Sequence, residues 1–203
     1  MKSVFLFGDS VFFGVGASSR DRGCGKLLKK NINMPVFIKS RSLETSRDGL
    51  QRLERDILSK ADSGSFIVIM FGNNDCRFNE ENIPLVGLEE YRNNLKEMIR
   101  TIKFSSNIPF LCNLQPMSSD GFFRMFPNMR VFENDYLAPD LWQKKYSDAC
   151  GDIVREEKIT LIDVRTALEK HKDLVFAEDG LHPNDSGHEV VALEIANVLK
   201  KWE

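Results

Sequence analysis

The chain has 203 residues, 42% of them hydrophobic and 29% charged, and a formal net charge of −2, an ordinary balance for one globular domain taken here as 1–203. A near-neutral total with no concentrated run of Lys and Arg argues against nucleic acid as a partner. The N-terminal apolar run 4–7 is only four residues long, well short of the roughly 7–15 of a secretory signal or the about 20 of a membrane span, so the expectation is a cytoplasmic protein without stable membrane insertion.

The first element is the strand "VFLF" (4–7), which runs straight into Gly8, Asp9 and Ser10. A strand that turns this sharply into small polar residues either caps a helix with Ser10 or presents its hydroxyl as a nucleophile. A second short strand, "VFI" (36–38), precedes a helical pattern over 48–61 that aligns Leu50, Leu53 and Ile57 on one face. The third run, "FIVIMF" (66–71), ends in "GNND" (72–75), and a helix over 87–102 follows with Leu88, Tyr91, Leu95, Met98 and Ile102 in register. "PFLCNL" (109–114) and "ITLIDV" (159–164) complete five unbroken apolar runs, the pattern of strands buried on both faces of a parallel sheet. The last helix spans 185–202, with Asn184 or Asp185 available as its N-cap.

Alternating strands and helices predict an α/β fold, a three-layer α/β/α sandwich around a five-stranded parallel sheet. Residues 115–140 interrupt the alternation. They are long for a strand-to-helix connection and read as a lid-like insertion. Their aromatic residues Phe122, Phe123, Phe126, Phe132 and Tyr136 either form an acyl-binding wall or pack the loop onto the body. The four cysteines, Cys24, Cys76, Cys112 and Cys150, never fall at metal-ligand spacing and read as buried free thiols of a reducing compartment.

Ligands of such sheets bind beyond the C-terminal ends of the strands where strand order reverses. In the flavodoxin-like order strands one and three are neighbours, so "GDS" and "GNND" flank one crevice. A serine there needs a base, and the chain has three histidines. His171 falls in the last turn of a helical pattern, where a cation suits the helix dipole. His188 lies one turn into the last helix and reads equally as a solvated surface residue. His182 lies in "EDGLHPND", three residues after Asp179, a spacing that lets a carboxylate orient the imidazole. The same loop reads equally as an Asp-Gly turn in which Asp179 bonds its own backbone.

In "GNND", the side-chain amide of Asn74 can donate to an oxyanion, Gly72 lets the chain turn, and Asp75 is expected to hold loops through backbone N–H groups. Asp163, at a strand end, is a rival acid. "GVGASS" (14–19) has Ser19 where a dinucleotide-binding fingerprint needs its third glycine, and no G-x-S-x-G elbow occurs.

"GDS", "GNND" and "DGLH", in this order across nearly the whole chain, resemble the SGNH (GDSL-type) hydrolases. The resemblance implies the flavodoxin-like SGNH fold and hydrolysis of carboxylic esters or thioesters of small acyl substrates, with no cofactor and no metal. It implies Ser10 as nucleophile, His182 as general base and Asp179 as its orienting acid. Asn74 and the backbone N–H of Ser10 would be oxyanion donors, and Gly8, Asp9, Gly72 and Asp75 would lie near the site. A glycine supplying a third N–H usually follows the second strand, and Leu43 aligns there. That departure supports an alternative, a binding domain of the same fold with little catalysis.

Overall fold

The computed structural model describes residues 2–125 and 138–202. Among these, five parallel strands form one sheet: β1 (Val4–Gly8), β2 (Val36–Ile38), β3 (Phe66–Met70), β4 (Ile108–Cys112) and β5 (Thr160–Ile162). Their order is β2-β1-β3-β4-β5, as the flavodoxin-like reading requires. β1 pairs with β3 from Val4–Phe66 to Gly8–Met70.

The helices are α1 (Ser10–Phe13), α2 (Cys24–Asn31), α3 (Ser46–Asp56), α4 (Leu88–Phe104), α5 (Ser119–Met125), α6 (Pro139–Glu157), α7 (Val164–Glu169) and α8 (Asp185–Leu199). α2 and α7 pack on α8, while α4 packs between α3 and α6. The result is the α/β layering that the alternation predicts. β1 and β3 are buried along their whole length, which explains why they read as unbroken apolar runs. Each fully buried large apolar side chain in them contributes about 1.5–3 kcal/mol of transfer free energy.

Helices α6 and α2 escaped the periodicity, as did the shorter α1 and α5. α6 buries Gln143 and Ser147 beside Tyr146, Ala149, Cys150, Ile153 and Val154, so its inner face carries no clean apolar stripe. The short α2 buries only Cys24, Gly25 and Leu28. The helix expected over 48–61 is divided: α3 ends at Asp56 and a 3₁₀ turn occupies Leu58–Lys60. All four cysteines are free and buried.

The fold places the C-terminal ends of β1 and β3 side by side, with "GDS" leaving one and "GNND" the other. Gly8 serves this junction by close backbone approach, because a Cβ there would lie 2.3 Å from the Met70 carbonyl oxygen.

Candidate active site

Asp9, not Ser10, caps α1. Its backbone is extended and its Oδ1 accepts from the Val11 N–H at 3.1 Å, which leaves the Ser10 hydroxyl for another partner. Ser10 Oγ lies 2.9 Å from His182 Nε2, and His182 Nδ1 lies 2.6 Å from Asp179 Oδ2. A carboxylate can only accept, so Nδ1 carries the proton and Nε2 faces the serine as an acceptor. The other oxygen of Asp179 accepts from the N–H groups of Leu181 and His182 at 2.8 and 3.0 Å. Burial pushes this carboxyl up, but the hydrogen bonds from the His182 ring and the two backbone groups outweigh it and hold the pKa at about 2. Asp179 thus makes the turn and the ring contact together; the two sequence readings of that loop do not compete.

Two glycines seat the loop. Gly16 has φ +94°, and a Cβ there would lie 2.4 Å from the Pro183 carbonyl oxygen and 2.7 Å from His182 Cβ. Gly180, at φ +65°, approaches Gly121 of α5 so closely that a Cβ would meet the Gly121 Cα at 2.6 Å. The "GVG" motif therefore packs the histidine loop onto the chain after α1.

Asn74 is buried, donates from Nδ2 to the Glu44 carbonyl at 2.9 Å and accepts from Arg77 at 3.4 Å. Asp75 accepts from the Ser46 N–H at 3.0 Å and from the Ser46 hydroxyl, tying "GNND" to the start of α3. Burial pushes the Asp75 carboxyl up to about 7 against those hydrogen bonds. Leu43, just before this junction, has φ +67° and is 70% exposed. Its backbone takes the left-handed conformation that glycine adopts without strain.

Asp9 is fully buried, and desolvation lifts its pKa to about 6 although Val11, Asn73 and His182 each favour its charged form. The remaining candidates lie elsewhere. His188 is not on the surface: it is completely buried, with Nδ1 accepting from the Cys24 N–H at 3.3 Å and Nε2 facing the Val15 carbonyl at 2.9 Å. Its position in the helix faces the core, and one polar partner at each nitrogen suits the neutral ring, whose pKa burial lowers. His171 is exposed, two residues beyond α7. Asp163 caps α7, accepting from Thr166 and Asn113.

Ser10, Leu43, Asn74 and His182 open onto one cavity of about 490 Å³. Cys76, Phe78, Met117, Phe122 and Trp142 also line it, and Phe78 stacks on Trp142 at 5.3 Å between ring centroids. Phe122 is therefore at the cavity wall. Phe123 is not among the lining residues and sets its ring edge-on against Phe122. Phe126, Phe132 and Tyr136 lie outside the described residues. Sequence reasoning missed Phe78 and Trp142, which follow no motif, and the buried amides Gln115 and Gln143. The one available signal was Gln115 directly after the apolar run 109–114.

The model of the GDSL-like lipase/acylhydrolase family matches residues 6–190. GDSL esterase/lipase WDL1 of Oryza sativa subsp. japonica is 25% identical over 146 residues, covering 68% of this chain. GDSL esterase/lipase CPRD49 of Arabidopsis thaliana is 27% identical over 143 residues, again 68% of this chain. The chain spans only about half the length of these relatives, 55% and 56%. Among solved structures, a lipase/acylhydrolase from Enterococcus faecalis superposes with a TM-score of 0.78 at 23% identity, covering 100% of this chain and 97% of that one. At that identity the likeness is one of fold.

Proposed function

The chain belongs to the GDSL-like lipase/acylhydrolase family, and from that premise we propose that it is a serine hydrolase of carboxylic esters or thioesters. The observation that carries the reading is the continuous relay Ser10 Oγ–His182 Nε2 at 2.9 Å and His182 Nδ1–Asp179 Oδ2 at 2.6 Å, at the wall of an apolar cavity.

In this mechanism His182 Nε2 takes the Ser10 proton as Oγ attacks the acyl carbonyl. Asp179 keeps the other ring nitrogen protonated and stabilises the imidazolium that forms. The tetrahedral oxyanion is met by the Asn74 amide and the backbone N–H groups of Ser10 and Leu43. One such donor is worth roughly 3–4 kcal/mol of transition-state stabilisation. The imidazolium then protonates the leaving alcohol or thiol, and a water deprotonated by His182 cleaves the acyl-enzyme, returning Ser10. Asn74 has two amide hydrogens, one of which the Glu44 carbonyl holds; the second is the donor this role needs.

The acyl group lies along Phe78, Trp142, Met117 and Phe122, whose apolar surface in a cavity of about 490 Å³ suits an aliphatic or aryl chain. The alternative, a binding domain without catalysis, rests on Leu43, and the left-handed φ of +67° there keeps a glycine-like backbone. No observation favours that alternative.

The test is hydrolysis of p-nitrophenyl acetate, butyrate and octanoate by the wild type and Ser10→Ala. The expected result is wild-type turnover that falls by about three or more orders of magnitude in the variant. Equal rates in both would refute the reading.

A further inference from the structure

Beside the relay, at the wall of the same cavity, lies a connected set of side-chain amides that no step above uses: Gln115 and Gln143, both buried, and half-buried Asn73. The Arg165 guanidinium of α7 donates to Gln143 Oε1 and, through Nε, to Ser147 at 3.0 Å. Gln143 Nε2 donates to Asn73 Oδ1 at 3.0 Å and to the Gln115 carbonyl at 2.8 Å. Asn73 Nδ2 donates to Asp9 Oδ2 and to Gln115 Oε1, each at 3.1 Å. Gln115 Nε2 donates to the Leu181 carbonyl at 3.1 Å.

Every amide in this chain has a determined orientation. Guanidinium can only donate, so the Gln143 oxygen faces Arg165 and its nitrogen faces Asn73. At the other end, the carboxylate of Asp9 and the carbonyl of Leu181 can only accept. They require the nitrogens of Asn73 and Gln115, and both ends give the same assignment. Gln115 and Gln143 are each 3% exposed, so a broken link leaves a buried polar group unsatisfied.

Gln115 occupies the junction. Through Asn73 it supports the Asp9 carboxylate, which holds the Val11 N–H and so fixes the turn that carries Ser10. Directly, it holds the carbonyl of the Leu181–His182 peptide, whose N–H Asp179 holds from the other side. The same peptide plane is clamped at both its polar atoms.

We propose that Gln115 is a positioning residue that keeps the Ser10 turn and the His182 loop in register, an inference that rests on the serine-hydrolase reading above. Gln115 borders the cavity, and both polar atoms of its side chain are engaged by the protein, so it acts through Asn73–Asp9 on one side and the Leu181 carbonyl on the other. Misplacement of a reacting pair by about 1 Å costs on the order of 100-fold in rate.

The experiment compares the wild type with Gln115→Met, which keeps the length and removes both hydrogen bonds. A second variant, Gln115→Asn, keeps an amide too short to span both partners. Each protein is titrated to completion with a fluorophosphonate probe, and kcat per titrated site and KM are measured on p-nitrophenyl butyrate. The expected result is a full complement of Ser10 labelled in each folded variant. With it, kcat per site falls about 10- to 100-fold and KM stays within about twofold. Wild-type kcat per site in either variant, with only the number of titratable sites reduced, would overturn the proposal and leave Gln115 a purely structural residue. Failure of the probe to label Ser10 in the wild type would instead overturn the serine-hydrolase reading, and this inference with it.

Discussion

Replacing Asp179 by Asn separates the two tasks that this carboxylate performs. The amide oxygen can still accept from the N–H groups of Leu181 and His182, which lie 2.8 and 3.0 Å from Asp179 Oδ1. The new NH₂, however, faces His182 Nδ1, where the carboxylate accepted at 2.6 Å. Two donors cannot face each other, so the imidazole moves its proton to Nε2 and meets Ser10 as a donor instead of a base. The expected fall in kcat is about 10³–10⁴-fold. The stability loss follows from the carboxyl pKa, which is about 2 in the folded protein against 3.8 unperturbed. That gap corresponds to roughly 2 kcal/mol in full, and solvent screening of a partly exposed group reduces it to about 1 kcal/mol, a Tm shift of roughly 2–4 °C.

A depressed carboxyl pKa stabilises the fold above about pH 4, where the unfolded chain is also ionised. That stabilisation is lost as pH falls toward about 2. Ester hydrolysis and urea unfolding of wild type and Asp179→Asn at pH 7 and pH 3 measure both effects, the stability difference narrowing at pH 3. A kcat within tenfold of wild type would refute the orienting role. A stability difference equally large at both pH values would refute the electrostatic one.

Asn74→Ala is expected to lower kcat on p-nitrophenyl butyrate by about 10²–10³-fold with little change in KM, because the lost donor acts on the oxyanion and not on the bound ester. Leu43→Gly is expected to keep kcat within a few-fold and to change Tm by only a few degrees. Relief of left-handed strain, about 1–2 kcal/mol, is largely offset by the freedom glycine gains in the unfolded chain. A tenfold loss of kcat would show that the Leu43 side chain itself serves the substrate. Burial raises the pKa of Asp9 to about 6 and of Asp75 to about 7. Between about pH 4 and 7 the folded chain therefore retains protons that the unfolded chain has lost, and stability falls as pH rises through that window. Buried, neutral His188 opposes the trend in part, since its own pKa is lowered. Urea unfolding at pH 5 and pH 8 is expected to show lower stability at pH 8, by on the order of a few kcal/mol; the reverse order would refute the assignment of two buried, reluctant carboxyls.

The central strands β1 and β3 were legible because strands buried along their whole length write themselves as unbroken apolar runs, while the partly covered edge strands β2 and β5 were legible from their Val, Phe, Ile and Leu content. Local turn chemistry marked Gly8–Ser10 and Gly72–Asp75 at strand ends and Asp179–His182 as the turn ahead of α8. The pairing of His182 with Asp179 was also within reach, since a carboxylate and a ring three residues apart across a glycine turn meet through local geometry. Other features depended on contacts between distant segments. Ser10 and His182 are 172 residues apart, and only the β2-β1-β3-β4-β5 order and the α8 loop bring them within 2.9 Å. His188 looks like a surface residue in a helix until α2 packs over it and supplies the Cys24 N–H. Gln115, in the loop after β4, and Gln143 and Arg165, in α6 and α7, look like misplaced polar residues. Hydrogen bonding satisfies them only when β3, β4, α6 and α7 have converged, because a buried amide has no periodicity to announce it and its partners lie on other elements.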